Sequence, residues 1–314
     1  MKRARIIYNP TSGRESFKNK LPDVLVKFEQ AGYETSTHET TGIGDATEAA
    51  RLAVARGFDT IVAVGGDGTI NEVVTGIAEA IHRPRLGIIP AGTTNDFARA
   101  LNIPKSIDKA VDIILSGHTK KLDIGKVNQH YFVNIAGGGK LTEVSYEVPS
   151  KLKTLIGQLA YFIKGAELLP RLRPIYTRIE YDGQVFEDEI MLFLVANTNS
   201  VGGFEKLAPE AEMNDGYFDL LVLKKCNIAE FIRLVTAATR GNHFGDPSIF
   251  YVQAKHINVQ TDERMQLNID GEYGGDLPGE FSNLKQHIEY FVPTEEQARK
   301  VKIEKEIQME KALD

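Results

Sequence analysis

The sequence has 314 residues, of which 42% are hydrophobic and 25% charged, so a globular protein of two domains is the first expectation. A net charge of −6 argues against nucleic acid as the main partner, because proteins that bind the phosphate backbone are usually basic. The single cysteine, Cys226, excludes an internal disulfide and indicates a reducing cytoplasm, and neither a signal peptide nor a membrane-spanning run of roughly 18 apolar residues is expected.

Strands and helices alternate in the first third of the chain. Short apolar runs predict strands, and apolar residues three and four apart predict helices. The predicted strands are the largely apolar runs Ala4–Tyr8, Ile61–Val64 and Leu86–Ile89, together with a polar stretch, Glu34–Thr40. The helices after them are predicted at Phe17–Phe28, at Ala46–Ala55 with Asp45 as its cap, from Ile70 to Ile77 and at Phe97–Leu101. This alternation predicts a parallel α/β sheet covered by helices in residues 1–127.

Each of these strands ends in a loop of polar residues and glycines. The loops are Asn9–Gly13, Thr40–Asp45, Gly65–Thr69 and Gly92–Asp96. Any one of them could be an ordinary turn, because Ser, Thr, Asn, Asp and Gly are the usual turn residues. All four, however, are expected at the carboxyl edge of the parallel strands, where such sheets bind ligands. Their coincidence predicts a nucleotide site at this edge.

The loop Gly65–Thr69 is the most informative of the four. Its glycines let backbone N–H groups approach a phosphate in front of a helix N-terminus. Asp67 would repel that phosphate unless Mg²⁺ lies between them. The alternative is a tight turn with Asp67 or Thr69 as the helix cap. A P-loop is excluded because the chain has no Gly-Lys-Ser/Thr, and a dinucleotide fingerprint is excluded because position 71 is Asn.

From about residue 120 alternating strands dominate, and residues 128–291 are expected to form an antiparallel β-sandwich. The predicted strands are Lys120–Val127, Tyr131–Ala136, Ile175–Tyr181, Val185–Glu189, Met191–Ala196, Phe218–Leu223, Ile257–Gln260, Gln266–Asp270 and His287–Phe291. One helix around Ala229–Arg240 interrupts them.

Ser150–Leu169 has the pattern of an amphipathic helix with a basic rim. The basic residues are Lys151, Lys153, Lys164, Arg171 and Arg173. Most helices of this kind bury one face in a core and leave the other in water. The alternative is a surface that lies near anionic lipid headgroups.

Two short motifs of the second half carry carboxylates. Asp270-Gly271-Glu272 could be an exposed hairpin tip or part of a site. Glu212–Tyr217 is most simply a turn before the strand that begins at Phe218.

The segment Gly65-Gly66-Asp67-Gly68-Thr69 with Asn71-Glu72 and Gly76 is followed by Pro90-Ala91-Gly92-Thr93-Thr94-Asn95-Asp96-Phe97-Ala98-Arg99. Together the two segments resemble the catalytic domain of the diacylglycerol kinases. Sphingosine kinases and NAD kinases share the first segment, but NAD kinases lack the second and sphingosine kinases usually have a different version of it. The resemblance covers almost the whole chain and is closest to the soluble bacterial diacylglycerol kinases.

The resemblance implies an ATP-dependent lipid kinase whose active site lies in the cleft between the two domains. It also implies that residues 292–314 return to the first domain or pack on its surface, with Thr294–Asp314 as a charged helix in which Glu296 and Lys300 form a pair four residues apart. ATP contacts are then expected from Asn9, Pro10, Thr11, Ser12, Gly13, Thr40, Gly66, Asp67, Gly68, Thr69, Ile70, Asn71, Glu72 and Thr93. Asp96 is expected either to support Asp67 or the metal, or to cap the helix behind it. A primary alcohol has a pKa far above 7, so a carboxylate must take its proton. Glu272 is expected to be that base, with Asp270 holding Mg²⁺ or orienting the loop, and the reverse assignment stays open.

A structural Mg²⁺ is also implied on the loop Glu212–Tyr217. The Asp215 carboxylate and the carbonyl oxygens of Glu212 and Tyr217 would hold it. Asn214 stands where relatives often have a second aspartate, which leaves less charge to hold the ion.

The expected reaction transfers a phosphoryl group from ATP to the free hydroxyl of 1,2-diacylglycerol and yields phosphatidate. It would return diacylglycerol, such as that left by the synthesis of lipoteichoic acid or another envelope polymer, to phospholipid synthesis. Because diacylglycerol stays in the bilayer, a cytoplasmic protein that transiently contacts the anionic inner face of the membrane is expected. A homodimer is one possible assembly. Two alternatives remain open, namely a kinase of another lipid alcohol (a sphingoid base or monoacylglycerol) and a non-catalytic nucleotide or lipid sensor with the same fold.

Overall fold

The computed structural model describes residues 2–12, 16–139, 173–199, 208, 211–240 and 242–301. The chain divides into two units, Met1–Leu122 with Gln286–Asp314 and Asp123–Lys285. Both divisions lie a few residues before the domain bounds that the sequence predicted. Gly13 and the predicted helix Ser150–Leu169 lie outside the described residues.

A parallel sheet forms the centre of the first unit. Its strands are β1 (Lys2–Tyr8), β2 (Tyr33–Glu39), β3 (Thr60–Gly65) and β4 (Arg85–Pro90). β1 lies between β2 and β3, and β4 lies on the other side of β3. Every residue of β3 is buried, as expected when helices cover a parallel sheet on both faces. The structure therefore confirms the predicted parallel α/β domain.

The helices between these strands position the loops at the edge of the sheet. They are α1 (Ser16–Gln30), α2 (Asp45–Ala55), α3 (Asp67–Ile77), α4 (Asp96–Ala100) and α5 (Ile107–Ser116). The sequence prediction missed α5, although its signals are present. The Ser106 side chain accepts the N–H of Lys109 as an N-cap, and Gly117 ends the helix with a φ of 76°.

Antiparallel strands form the second unit, in agreement with the predicted β-sandwich. They are β5 (Thr119–Val127), β6 (His130–Phe132), β7 (Ile135–Gly138), β8 (Ile175–Tyr181), β9 (Gln184–Ala196), β10 (Phe218–Lys224), β11 (Ile249–Ala254), β12 (His256–Thr261), β13 (Gln266–Ile269), β14 (Glu272–Asp276) and β15 (Gly279–Phe291). The order is β14-β13-β7-β9-β8-β12-β15, with β10 next to β9 and β11 next to β10.

The long strand β9 joins two parts of this arrangement. Its first half pairs with β8, and its end from Phe193 to Ala196 lies between β7 and β10. The sequence predicted two separate strands here. Phe193 also belongs to the aromatic core of the sandwich, where Phe132 stacks on Phe218 with ring centroids 5.4 Å apart.

Helix α6 (Ile228–Arg240) follows β10, and a last helix, α7, covers residues 295–301. The side chain and N–H of Thr294 exchange hydrogen bonds with Gln297 at the start of α7. The predicted pair of Glu296 and Lys300 forms at 2.6 Å. The end of β15 belongs to the first unit, where Tyr290 pairs in parallel with Leu86 of β4.

Candidate active site

Backbone hydrogen bonds bring the ends of the parallel strands together. They run from Asn9 N–H to the Val64 carbonyl (3.0 Å), from Thr40 N–H to the Tyr8 carbonyl (2.9 Å) and from Ala91 N–H to the Gly65 carbonyl (2.8 Å). The four polar loops therefore begin side by side at the carboxyl edge of the sheet, as the sequence predicted.

Two of these loops touch through their glycines. A Cβ added to Gly92 would lie 2.5 Å from the Cα of Gly66. Only glycine lets the two backbones approach this closely. Asn95 fixes the second loop from inside. Its side-chain oxygen accepts the N–H of Gly92 (2.8 Å) and its amide donates to the Gly92 carbonyl (2.6 Å). The predicted contact residue Thr93 is exposed next to this bond pair.

Asp67 holds the N-terminus of a neighbouring helix. Its two carboxylate oxygens accept the N–H groups of Asp96 (3.1 Å) and Phe97 (3.0 Å) at the start of α4. Its own helix begins at Gly66 without a side-chain cap, so the alternative of Asp67 or Thr69 as the cap of α3 is wrong. Each carboxylate oxygen keeps a second lone pair, so Asp67 can still bind a cation.

Asp96, the first residue of α4, is half-buried and lies 3.5 Å from the guanidinium of Arg99. Arg99 also donates to the carbonyl of Thr94 at 2.8 Å. Asp96 thus donates its backbone N–H to Asp67, and its side chain lies next to Arg99 on its own helix.

The loop after β1 is closed by Asn9. Its side-chain oxygen accepts both the N–H (3.0 Å) and the hydroxyl (2.8 Å) of Thr11, and its carbonyl accepts the N–H of Ser12 (3.2 Å). Thr11 itself is exposed. Pro10 lies between these residues, so the loop presents a fixed backbone beside the glycine loops.

The side chain of Asp45 holds the loop after β2 in place. One Asp45 oxygen accepts the hydroxyl (2.8 Å) and the N–H (2.7 Å) of Thr41, and the other lies 3.0 Å from His38 Nε2. The Thr41 hydrogen bonds hold the pKa of the Asp45 carboxyl below its ordinary value. Gly44 occupies the N-cap position of α2, so the prediction that Asp45 caps this helix is wrong.

Six predicted contact residues, Asp67 to Glu72, lie in the first two turns of α3. Thr69 and Ile70 are buried, and the Thr69 side chain occupies the space that a Cβ on Gly65 would need. Asn71 and Glu72 are half-buried. The Glu72 carboxylate accepts two backbone N–H groups at the start of α2, from Gly44 and Ala46.

In the second unit, Asp270 is held by three backbone donors. Its carboxylate accepts the N–H groups of Val133 (2.8 Å), Asn134 (2.9 Å) and Ile135 (2.9 Å). These bonds turn the chain between β6 and β7, which is why the single predicted strand Tyr131–Ala136 is two strands. Asp270 therefore orients the loop, one of the two roles expected for it.

The environment of Glu272 is different from that of Asp270. It begins β14, it is exposed, and its carboxylate makes no hydrogen bond or ion pair with the residues that the structure describes. Asp270 (φ 48°) and Gly271 (φ 97°) form the tight turn before it. The turn thus carries a fixed carboxylate at Asp270 and, two residues later, a carboxylate that no described residue holds in place.

The loop predicted to hold a structural Mg²⁺ is anchored by a residue that sequence reasoning missed. Asp123 is fully buried, its carboxylate accepts the N–H of Gly216 (2.7 Å), and its own N–H donates to the Met213 carbonyl (2.7 Å). An aspartate between the apolar neighbours Leu122 and Ile124 was the available signal.

Within the loop predicted to bind this metal, the Asp215 carboxylate accepts the N–H of Tyr217 at 2.9 Å. The Tyr217 carbonyl accepts the Asn283 amide at 3.1 Å and keeps one lone pair. Glu212 is exposed. This donor set of one carboxylate and backbone carbonyls fits Mg²⁺ with several waters. In the described ranges no three His, Cys, Asp or Glu side chains cluster as metal ligands.

Among the helices that the structure describes, none has the length and apolar character needed to cross a bilayer.

Comparison with known proteins agrees with this geometry. Residues 3–127 match the family described as the diacylglycerol kinase catalytic domain, and residues 142–292 match the one described as the YegS C-terminal NAD kinase beta sandwich-like domain. A diacylglycerol kinase of Bacillus subtilis (strain 168) is 64% identical over 296 residues, which cover 94% of this chain and 98% of that protein.

A diacylglycerol kinase of Staphylococcus carnosus (strain TM300) is 56% identical over 292 residues, covering 93% of this chain and 95% of that protein. The crystal structure of a diacylglycerol kinase from Bacillus anthracis str. Sterne superposes with a TM-score of 0.79 at 30% identity, over 93% of this chain and 97% of that chain. With relatives of more than half identity matched over almost their full length, the chain belongs to the diacylglycerol kinase family and is a lipid kinase.

Proposed function

We propose that this kinase transfers the γ-phosphoryl group of ATP to the free hydroxyl of 1,2-diacylglycerol, with Mg²⁺, and releases phosphatidate. The observation that supports it best is the pair of touching glycine loops at the edge of the parallel sheet, with Asp67 at their base. Glycine backbones that approach this closely leave room for phosphate oxygens against the N-terminus of α3.

In this proposal the loops after β1, β2, β3 and β4 bind ATP through backbone N–H groups and the Thr11 and Thr93 hydroxyls. The free lone pairs of Asp67 would hold Mg²⁺, which, when bound, neutralises charge on the phosphates. Asp67 is already fixed by α4, so it would need little rearrangement to do so.

Glu272 is the proposed base. A group that removes a proton needs a free oxygen within hydrogen-bond reach of the alcohol. Among the residues that the structure describes, none donates to the Glu272 carboxylate, whereas Asp270 has three N–H donors. In this assignment Asp270 shapes the turn that presents Glu272. The position of the active site between the two domains stays a prediction.

Turnover of purified Glu272→Gln tests this assignment. Gln keeps the size of Glu but cannot take the proton, so turnover should fall roughly 10²–10⁴-fold with little change in ATP binding. Glu280→Gln is the matched control, because Glu280 is also an exposed carboxylate of this sheet region, and its activity should equal that of wild type.

The Asp270→Asn variant distinguishes between a role of Asp270 in shaping the turn and a role in binding Mg²⁺. It presents an amide to backbone donors, so it should unfold at lower temperature and should not be rescued by Mg²⁺. An Asp270→Asn protein that regains turnover as Mg²⁺ rises would place Asp270 at the metal. If Asp270→Asn is inactive at every Mg²⁺ concentration while Glu272→Gln stays active, the base is Asp270.

The lipid is tested with a panel of alcohols in mixed micelles. Diacylglycerol should be the preferred substrate by more than an order of magnitude over a sphingoid base or monoacylglycerol. Preference for one of the others would identify another lipid-alcohol kinase, and absence of turnover with all of them would favour a nucleotide or lipid sensor.

We further propose that the protein is cytoplasmic and reaches its substrate by transient docking on anionic membranes. Arg173 is exposed, and the other basic residues predicted to take part lie outside the described part of the chain. Each basic residue near such a surface contributes about 1 kcal/mol, so a few suffice. Sedimentation with phosphatidylserine vesicles should fall as salt is raised, and salt-independent sedimentation would contradict the proposal.

A further inference from the structure

We infer that Glu72 is a positioning residue that fastens the loop after β2 to the glycine loop after β3. This inference rests on the proposed ATP site and gives Glu72 a role other than direct contact with the nucleotide.

The Glu72 carboxylate joins two helices. Oε1 accepts the N–H of Gly44 and Oε2 accepts the N–H of Ala46, both at 3.0 Å. The Glu72 carbonyl also accepts the hydroxyl of Thr47 at 2.9 Å. Three bonds therefore connect the second turn of α3 with the first turn of α2.

The start of α2 needs an acceptor from elsewhere in the chain. A helix leaves its first N–H groups without partners inside the helix, and a Ser, Thr, Asp or Asn at the N-cap usually supplies one. Here the N-cap is Gly44 in the left-handed region (φ 83°), which has no side chain to offer. Glu72 supplies both acceptors, with its negative charge at the positive end of the helix.

The same pair of helices is in contact one turn later. A Cβ on Gly76 would lie 2.5 Å from the Thr47 carbonyl oxygen and 2.7 Å from the Ala50 Cβ. The distance between α2 and α3 is thus fixed by Glu72 at one level and by Gly76 at the next. Because α3 starts in the glycine loop, the loop that leads into α2 is held in register with it.

The loop after β2 is therefore attached at both ends. The N–H of Thr40 donates to the Tyr8 carbonyl at 2.9 Å, and Gly44 donates to Glu72. Between them Thr41 is closed onto Asp45. A loop held in this way is ordered before the ligand binds, which lowers the entropic cost of binding.

The test compares Glu72→Gln with wild type in steady-state kinetics. Gln keeps one acceptor but turns an NH₂ group towards the second N–H, so the loop should be displaced. We expect the KM for ATP to rise on the order of tenfold, the size of effect that follows from losing one hydrogen bond to a charged group. The kcat and the KM for the lipid should stay within about twofold, because Glu272 belongs to another part of the chain.

Glu48→Gln is the matched control. Glu48 lies in the same first turn of α2 and is exposed, but it pairs with Arg51 on its own helix. Its kinetics should equal those of wild type. Amide hydrogen exchange gives a second measurement, because Gly44 and Ala46 should exchange faster in Glu72→Gln while Asn9 should not.

Three results would overturn the inference. An unchanged KM for ATP with a lower unfolding temperature would leave Glu72 a purely structural role. Recovery of the KM at high Mg²⁺ would place its carboxylate at the metal, and unchanged exchange at Gly44 and Ala46 would contradict the bonds themselves. A wild-type protein without ATP turnover would instead refute the proposed function, so the two failures are distinguishable.

Discussion

At the scale of single residues, the carboxylates differ in which backbone groups they meet. Asp67 accepts two N–H groups, Asp270 three and Glu272 none from the described residues. The glycine loop identified Asp67 as a candidate, and the resemblance to the kinases identified Asp270 and Glu272. Sequence alone could not show which carboxylates are fixed by hydrogen bonds, since the donors to Asp67 and Asp270 lie 29 and more positions away along the chain.

Asp67→Ala should reduce phosphoryl transfer below a tenth of wild type, because the proposed metal loses its carboxylate. The unfolding free energy should also fall by roughly 1–3 kcal/mol, since the N–H groups of Asp96 and Phe97 lose their acceptors. Turnover and urea unfolding of the purified variant measure the two effects.

Asp59→Asn is the control for Asp67→Ala. Asp59 also accepts a backbone N–H, from Arg3 at 2.7 Å, but it precedes β3 and thus lies at the opposite end of that strand. It should be less stable than wild type and fully active. Activity of Asp67→Ala above a tenth of wild type would remove Asp67 from the metal site.

At the scale of elements, local pattern predicted the parallel sheet well because β3 and β4 contain apolar runs that end at Gly65 and Pro90, although β2 is mostly polar. The local pattern failed where contacts with residues distant in the sequence determine the structure. The break between β6 and β7 depends on Asp270, and β14 escaped detection because Gly274 and Gly275 weaken its strand signal. Gly274 is nevertheless required there, since a Cβ would collide with the Ile269 side chain.

Gly92→Ala should separate the two glycine loops. The new Cβ would meet the Gly66 Cα at 2.5 Å and the Asn95 oxygen at 2.9 Å, so the backbone must move. We expect a loss of roughly 1–3 kcal/mol in unfolding free energy, typical of overpacking, and a weaker affinity for ATP. Thermal unfolding with and without ATP measures both quantities.

Gly245→Ala serves as the control for Gly92→Ala, because no atom of the described residues lies within 4 Å of a Cβ at Gly245 and its φ is unstrained. It should match wild type in both measurements. Equal ATP affinity in Gly92→Ala and wild type would show that the contact between the loops does not shape the nucleotide site.

At the scale of the whole molecule, stability depends on pH through a histidine that the sequence did not single out. His287 in β15 donates from Nε2 to the Ala78 carbonyl at 2.7 Å, just after α3. Burial lowers its pKa below the ordinary 6.5, and the positive charge of Arg83 acts in the same direction. The folded state therefore binds this proton less readily than the unfolded state.

The unfolding temperature should consequently fall as the pH drops below about 6.5, because His287 binds a proton more readily in the unfolded chain than in the folded one. Above that value the contribution of His287 is fully present. Thermal unfolding of wild type and His287→Gln between about pH 5 and 8 isolates the effect, and the wild-type curve should be the steeper one. His82→Gln, at an exposed histidine nearby, should follow wild type. Parallel curves for wild type and His287→Gln would contradict the assignment.

The path of β15 has a consequence for dissecting the protein. Its last residues belong to the first unit, where Tyr290 and Phe291 are fully buried and Tyr290 packs on Phe97 with ring centroids 5.2 Å apart. A fragment cut at residue 127, where the catalytic-domain match ends, would lack this strand and expose the apolar edge of β4. A stand-alone nucleotide module would instead need an internal deletion, in which a linker replaces residues 123–285 and joins Leu122 to the segment that begins at Gln286.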